Sequence, residues 1–326
     1  MSNTAQRERR LAVNGVELDV VEAGRQGDPI VILAHGFPES SYSWRHQLGP
    51  LADAGYHVLA PDQRGYGRSS RPGNVGDYGI EQLSGDLIGL ADHAKREGGS
   101  TEKPIFVGHD WGALIVWDLG RLHPNAVKAI VAVSVPYVDW PAKPTDVFRM
   151  LYGDNFFYIL YFQAVGPAET EMGADPRKTM TGILWGASAD GYRDAIETRP
   201  AAGTGFLDVM GEPPAVLPAW LKADDIDHYT KQFTESGFFG PVSYYRNLDA
   251  NYQLVTGRAA PVAPTYFIGG SKDMVIARDL NGLDRMRDQL PDYRGHTIID
   301  GVGHWTQQEA PLAFNDALLG FLKTLA

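Results

Sequence analysis

Short apolar runs alternate with helical stretches along most of this chain, and that alternation constrains the fold more than any other feature. Ile30-Val31-Ile32-Leu33-Ala34 is apolar at every position, as in a parallel strand buried on both faces. Residues 56–60, 104–107, 129–135 and 264–268 repeat the pattern. Between them, Ile80, Leu83, Leu87, Ile88, Leu90 and Ala91 share one stripe at helical spacing, and Trp111–Leu122 is apolar nearly all round. Phe314, Leu318, Phe321, Leu322 and Leu325 give the last helix its apolar face. Strands alternating with helices predict an α/β fold built on a mostly parallel, doubly wound sheet. An antiparallel start precedes it, with residues 10–13 and 16–21 joined by the hairpin turn Asn14-Gly15.

The alternation stops after Val135-Pro136 and resumes near Pro261. The stretch between lacks an apolar strand run, is punctuated by Pro and Gly, and is rich in aromatics such as Phe156, Phe157, Tyr158, Tyr161, Phe162, Trp185, Trp220, Phe238, Phe239, Tyr244 and Tyr245. Core packing of a helical cover explains such a composition best. With 326 residues to divide, the chain reads as a catalytic domain over 1–136 and 261–326 and a helical cap over 137–260. A cap set on the C-terminal ends of parallel strands would roof the ligand crevice of an open α/β sheet.

Composition removes several function classes. The formal charge is 29 − 40 = −11 without a basic cluster, so the main source of affinity for a phosphate backbone is missing and no nucleic-acid partner is expected. The chain has no cysteine, which excludes thiol catalysis, disulfides and Cys-ligated metal sites. Residues 1–13 are polar, and the longest apolar runs fall far short of the ~20 residues of a membrane span. A cytoplasmic protein without a membrane span is expected, with a homo-oligomer left open.

Gly108-His109-Asp110-Trp111-Gly112 follows an apolar strand and opens an apolar helix. This is the strand–turn–helix setting of the nucleophile elbow, Gly-x-Ser-x-Gly, with Asp where Ser would stand. Taken alone, Asp110 could simply cap the following helix. As a nucleophile it is a poor acyl acceptor but is suited to saturated carbon, and attack there would form an alkyl ester. Carbon–halogen and epoxide cleavage both proceed that way.

A base must then activate water against the ester. Of nine histidines, His304 has the best setting, in the loop Gly301-Val302-Gly303-His304-Trp305 after the strand ending at Ile298-Ile299. His296 is expected ahead of that strand, and His109 is expected to point away from the nucleophile. Asp273, after the strand 264–268, is the natural acid to orient His304. Asp110, Asp273 and His304 then follow the chain order of an α/β-hydrolase-fold triad. His35-Gly36-Phe37-Pro38 lies where a second oxyanion donor is expected, so the backbone N–H groups of Phe37 and Trp111 could hold the oxyanion. Asp62-Gln63-Arg64-Gly65-Tyr66-Gly67-Arg68-Ser69 fails the dinucleotide-loop spacing and reads as structural.

His35-Gly36-Phe37-Pro38-Glu39-Ser40, the loop 62–69, Gly108-His109-Asp110-Trp111-Gly112-Ala113 and Gly303-His304-Trp305-Thr306-Gln307 resemble the α/β-hydrolase-fold epoxide hydrolases. That family has a helical cap supplying two tyrosines. Tyr158-Ile159-Leu160-Tyr161-Phe162-Gln163 resembles the segment carrying the first, pointing to Tyr158. Ser243-Tyr244-Tyr245-Arg246-Asn247 resembles the segment carrying the second, pointing to Tyr245, although Tyr244 stands where the family has Trp. The resemblance also implies substrate contacts from Phe37, Trp111, Tyr244 and Trp305, and neither a metal nor a cofactor. Phenolic O–H groups suit an epoxide, whose oxygen stays attached and gains alkoxide charge as the ring opens.

The expected reaction is hydrolysis of a small, apolar epoxide to a vicinal diol through an ester on Asp110. Haloalkane dehalogenase is the enzymatic alternative. Phe37 argues against it, standing where that family would favour Asn, while Trp111 would serve a halide equally well and does not discriminate. Trp111 and Leu114 stand where fluoroacetate dehalogenases would carry arginines to grip a carboxylate, which disfavours a small-acid substrate. A non-catalytic ligand-binding protein is the remaining reading, and such a protein has no need for a nucleophile and a base.

Overall fold

A computed structural model describes residues 6–191, 200–279 and 281–325. Residues 1–5 of the polar start and 192–199 of the insertion lie outside the described residues. Asn14 and Gly15 hold φ of 46° and 77°, the positive pair of a two-residue hairpin turn whose twist matches the strands it joins. That turn links β1 (Arg7–Val13) to β2 (Val16–Ala23), with Val13 opposite Val16 and Arg7 opposite Glu22.

The apolar runs become β3 (Ile30–Ala34), β4 (His57–Pro61), β5 (Ile105–His109) and β6 (Ala129–Val133), buried at every residue. β7 (Thr265–Gly270) and β8 (Tyr293–Ile299) complete one sheet in the order β1-β2-β4-β3-β5-β6-β7-β8. Pairing is parallel from β4 to β8 and antiparallel where β2 meets β1 and β4. Two expectations are corrected. His296 does not precede the last strand but lies inside β8 opposite Phe267, with its Nδ1 2.8 Å from the Tyr293 hydroxyl. The strand expected to reach residue 135 stops at Val133, because Ser134 turns the backbone at φ 68°.

Side chains alternate across a strand, so each apolar run feeds two cores. Ile30, Ile32 and Ala34 face helices Ile80–Arg96 and Trp111–Leu122, whereas Val31 and Leu33 face Leu48, Leu51 and the terminal helix Pro311–Lys323 through Phe314, Leu318, Phe321 and Leu322. A sheet covered on both faces needs strands apolar on both faces, as these are.

Between β6 and β7 the described residues form helices and no strand. They include Pro144–Tyr152, Tyr158–Tyr161, Pro176–Gly186, Ala223–Ser236 and Phe239–Arg246. Their aromatics join the core on one face of the sheet: Phe162, Tyr229, Phe233, Tyr244 and Tyr245 are buried in the same apolar cluster as Ile32 and Trp111. The insertion is thus seated over the C-terminal ends of the strands, where the loops after β3, β5, β7 and β8 converge. No helix among the described residues is long and apolar enough to cross a membrane.

Candidate active site

β5 ends at His109, and Asp110 turns the chain into helix Trp111–Leu122 at φ 51°, ψ −114°. A non-glycine residue in that region is strained and persists only where its surroundings over-determine it. Gly112 is one reason it can: a Cβ there would come within 2.0 Å of the Ala34 carbonyl oxygen, so only glycine lets the elbow close on β3. The turn aims the Asp110 carboxylate at the loop after β3, where the Phe37 N–H donates to Oδ1 at 2.8 Å. Burial would raise the carboxyl pKa, but the hydrogen bond and charge of His304, the charge of His109 and the Phe37 N–H outweigh it and hold it low.

Asp110 Oδ2 faces His304 Nε2 at 3.5 Å. On the other side of the ring, Nδ1–H donates to Asp273 Oδ1 and Oδ2 at 3.1 and 3.2 Å. Asp273 is fully buried after β7 and caps the short helix Met274–Arg278 by accepting from the Val275 N–H at 2.8 Å. Burial opposes a charge on His304, yet Asp273 and Asp110 together raise its pKa well above the ordinary imidazole value. The Asp110 carboxylate, the His304 imidazole and the Asp273 carboxylate thus stand in sequence, one on each side of the ring.

Tyr158 and Tyr245 lie close enough to Asp110 for its charge to act on both phenols. The Tyr245 ring packs edge-on against Trp111, Phe37 and Tyr158 at centroid distances of 5.0, 5.5 and 5.8 Å. Burial, reinforced by the Asp110 charge, pushes both phenols up, so each remains a hydrogen-bond donor. Tyr244, expected to contact substrate, commits its hydroxyl to the Arg64 carbonyl at 2.9 Å and packs its ring edge-on against Trp111 at 5.5 Å. Trp305 is likewise committed elsewhere. Its indole N–H donates to the Leu184 carbonyl at 2.7 Å, and its ring packs edge-on against His304. Phe37 and Trp111 are both buried with their rings against Tyr245.

Several contributing residues escaped the sequence reading. His109 points away from Asp110 as expected, but its partners were not foreseen: it is buried between two acceptors, Glu39 Oε2 at 2.6 Å from Nδ1 and the His304 carbonyl at 2.8 Å from Nε2. Glu39 is fully buried and also accepts from Gly36 N–H, Gln307 and Gln308 at 3.2, 3.0 and 2.7 Å. Ser134, at its strained φ, gives the His304 carbonyl a second donor at 2.9 Å. The loop 62–69 is structural: Arg64 makes two 2.6 Å bonds to buried Asp86, and Asp62 accepts from the Ser41 backbone and hydroxyl. Glu39 lies within the segment 35–40, but its side-chain partners His109 and Gln307 are 70 and 268 residues away, beyond any local signal. Among the described residues, no group of three or more His, Asp or Glu side chains is arranged to hold a metal ion.

Sheet order, elbow and triad define an α/β-hydrolase, and the family described as alpha/beta hydrolase fold matches residues 29–158. The chain is 46% identical to epoxide hydrolase A of Mycobacterium tuberculosis over 98% of both chains, and 35% identical to an epoxide hydrolase of Caballeronia sordidicola over 98% of this chain and 94% of that one. The crystal structure of epoxide hydrolase A from Mycobacterium thermoresistibile superposes with a TM-score of 0.90 at 45% identity, covering 98% of each chain. The chain belongs to the α/β-hydrolase-fold epoxide hydrolases.

Proposed function

We propose that this enzyme hydrolyses an apolar epoxide to a vicinal diol, with Asp110 as nucleophile, His304 as base, Asp273 as its orienting acid, and Tyr158 and Tyr245 as acids. One observation carries the assignment. The two Asp110 oxygens differ, Oδ1 held by the Phe37 N–H at 2.8 Å and Oδ2 facing His304 at 3.5 Å, with two buried phenols near enough to feel the carboxylate charge. Oδ2 attacks a ring carbon from the side opposite the C–O bond. That bond breaks towards the tyrosines, and a phenol passes its proton to the departing oxygen. Oδ1 remains in place as the ester carbonyl oxygen.

Esterification removes the Asp110 charge and its hydrogen bond, two of the influences that hold His304 up. The imidazole therefore gives up its extra proton to solvent, to be regained when the Asp110 carboxylate returns, and becomes a base at the step that needs one. It takes a proton from water, whose oxygen adds to the ester carbon. Charge develops on Oδ1, beside the N–H of Phe37 and, as the second donor of the proposed oxyanion hole, that of Trp111. The diol oxygen leaves with the proton from His304, and the acid left on Asp110 ionises, replacing the proton the phenol gave.

Halide release is the weaker reading because the Trp111 side chain is already engaged with Tyr245. Incubation with styrene oxide and with 1-chlorohexane separates the two, and diol from the first without chloride from the second is expected. Chloride without diol would overturn the assignment. The domain reading is kept as part of this proposal: 137–260 acts as the cap, and 1–136 with 261–326 carries nucleophile, acid and base. We place the reaction in the cytoplasm, a reading compatible with the acidic, cysteine-free composition.

A further inference from the structure

The base of the second step sits on a loop, and loops do not hold a ring to within a fraction of an ångström without help. Glu309, on the short helix Thr306–Glu309, supplies that help from an unexpected direction. Its carboxylate accepts three backbone N–H groups at 3.0 Å. Oε1 takes Trp305, and Oε2 takes Gly303 and Ala189. The first two flank His304 in the chain, and the third belongs to the insertion, just past helix Pro176–Gly186. Two more bonds stitch the same surfaces: the His304 N–H donates to the Ala187 carbonyl at 3.0 Å, and the Trp305 indole to Leu184. Contact is so close that a Cβ on Gly303 would come within 2.2 Å of the Ala189 nitrogen.

We propose that Glu309 is a positioning residue that fixes His304 for ester hydrolysis and makes that step depend on the seating of the insertion at residues 184–189. It touches neither substrate nor Asp110, so ring opening does not require it. A neutral side chain of the same size cannot satisfy three donors, because its amide N–H₂ replaces one acceptor oxygen with a donor. The His304 loop then shifts relative to Asp273 and the ester carbon, and loss of such an orienting partner costs roughly 10–100-fold in activity.

This inference rests on the proposed Asp110–His304 mechanism, and its test keeps the two apart. In Glu309→Gln, rapid-quench mass spectrometry with styrene oxide is expected to show alkylation of Asp110 at the parent rate and hydrolysis slowed at least tenfold. Alkyl-enzyme then accumulates, and kcat and KM fall together with kcat/KM unchanged. Should that variant not fold, Glu309→Asp, which retains the charge but withdraws the oxygens, is measured in the same way. A loss of kcat/KM equal to the loss of kcat without accumulated ester, or an unaltered kcat, would overturn the positioning role. His304→Gln serves as the control. Failure of that variant to accumulate an adduct on Asp110 would instead overturn the underlying mechanism.

Discussion

Asp110 at φ 51° combines three demands in one residue: a strained turn, a depressed carboxyl pKa and an oxygen held by a backbone N–H. The tyrosines make the opposite demand, since burial keeps their protons on. Replacing both, as Tyr158→Phe with Tyr245→Phe, is expected to slow Asp110 alkylation by roughly 10²–10⁴-fold, and stopped-flow with excess enzyme checks it; an unchanged rate would remove the phenols from the reaction. The pH profiles follow from the sign of each shift. Asp110 is held low and the phenols high, so kcat/KM, which reports ring opening, stays flat through the neutral range. kcat, where hydrolysis limits it, falls towards acid as His304 of the alkyl-enzyme takes up a proton. Steady-state rates between pH 5 and 9 test this, and an acid limb of equal strength in both parameters would contradict it. Asp110, Asp273 and His304 could be set side by side from the sequence because they fall, in chain order, in the turns and loops that leave β5, β7 and β8. Glu39, Ser134 and Glu309 were not legible, since their partners lie up to 269, 172 and 120 residues away and only the folded chain brings them together.

Elements explain why the site can be strained at all. β3 and β5 are buried at every residue and paired from Val31 opposite Ile105 to Ala34 opposite Gly108, so the loops leaving them inherit a fixed register. Gly112→Ala drives a methyl into the Ala34 carbonyl and is expected to cost roughly 3 kcal/mol through overpacking. Chemical denaturation measures that directly, and a loss below about 0.5 kcal/mol, the size of a neutral surface change, would mean that the elbow relaxes freely. The parallel strands were readable because burial on both faces leaves unbroken apolar runs. The insertion was readable only as helical and aromatic. Its helices are as short as Tyr158–Tyr161 and pack against the sheet and one another, so no single apolar stripe marks where each begins. His296 was misplaced because the half-exposed strand β8 has no continuous apolar run to fix its start.

At the scale of the molecule, the insertion and the sheet share one apolar core, and a hydrogen bond beside a buried ion pair joins them. Arg64 pairs with Asp86 on helix Ile80–Arg96, and its carbonyl takes the Tyr244 hydroxyl, next to the proposed acid Tyr245. Arg64→Ala leaves Asp86 as an uncompensated buried charge, an effect worth roughly 3–5 kcal/mol, and the thermal midpoint is expected to fall by several degrees; an unchanged midpoint would show that the pair is dispensable. Acid weakens the fold through the same logic. Asp110 and Glu39 are buried, yet histidine partners hold their carboxyls low, so their stabilisation is present above the ordinary carboxylate range and is lost as pH falls through their folded values. The central claim is that water attacks the carbon of an Asp110 ester and never the substrate. A single turnover of styrene oxide with excess enzyme in H₂¹⁸O tests it most directly. The account predicts unlabelled diol and ¹⁸O in the peptide carrying Asp110; ¹⁸O in the first-turnover diol with Asp110 unlabelled would contradict it.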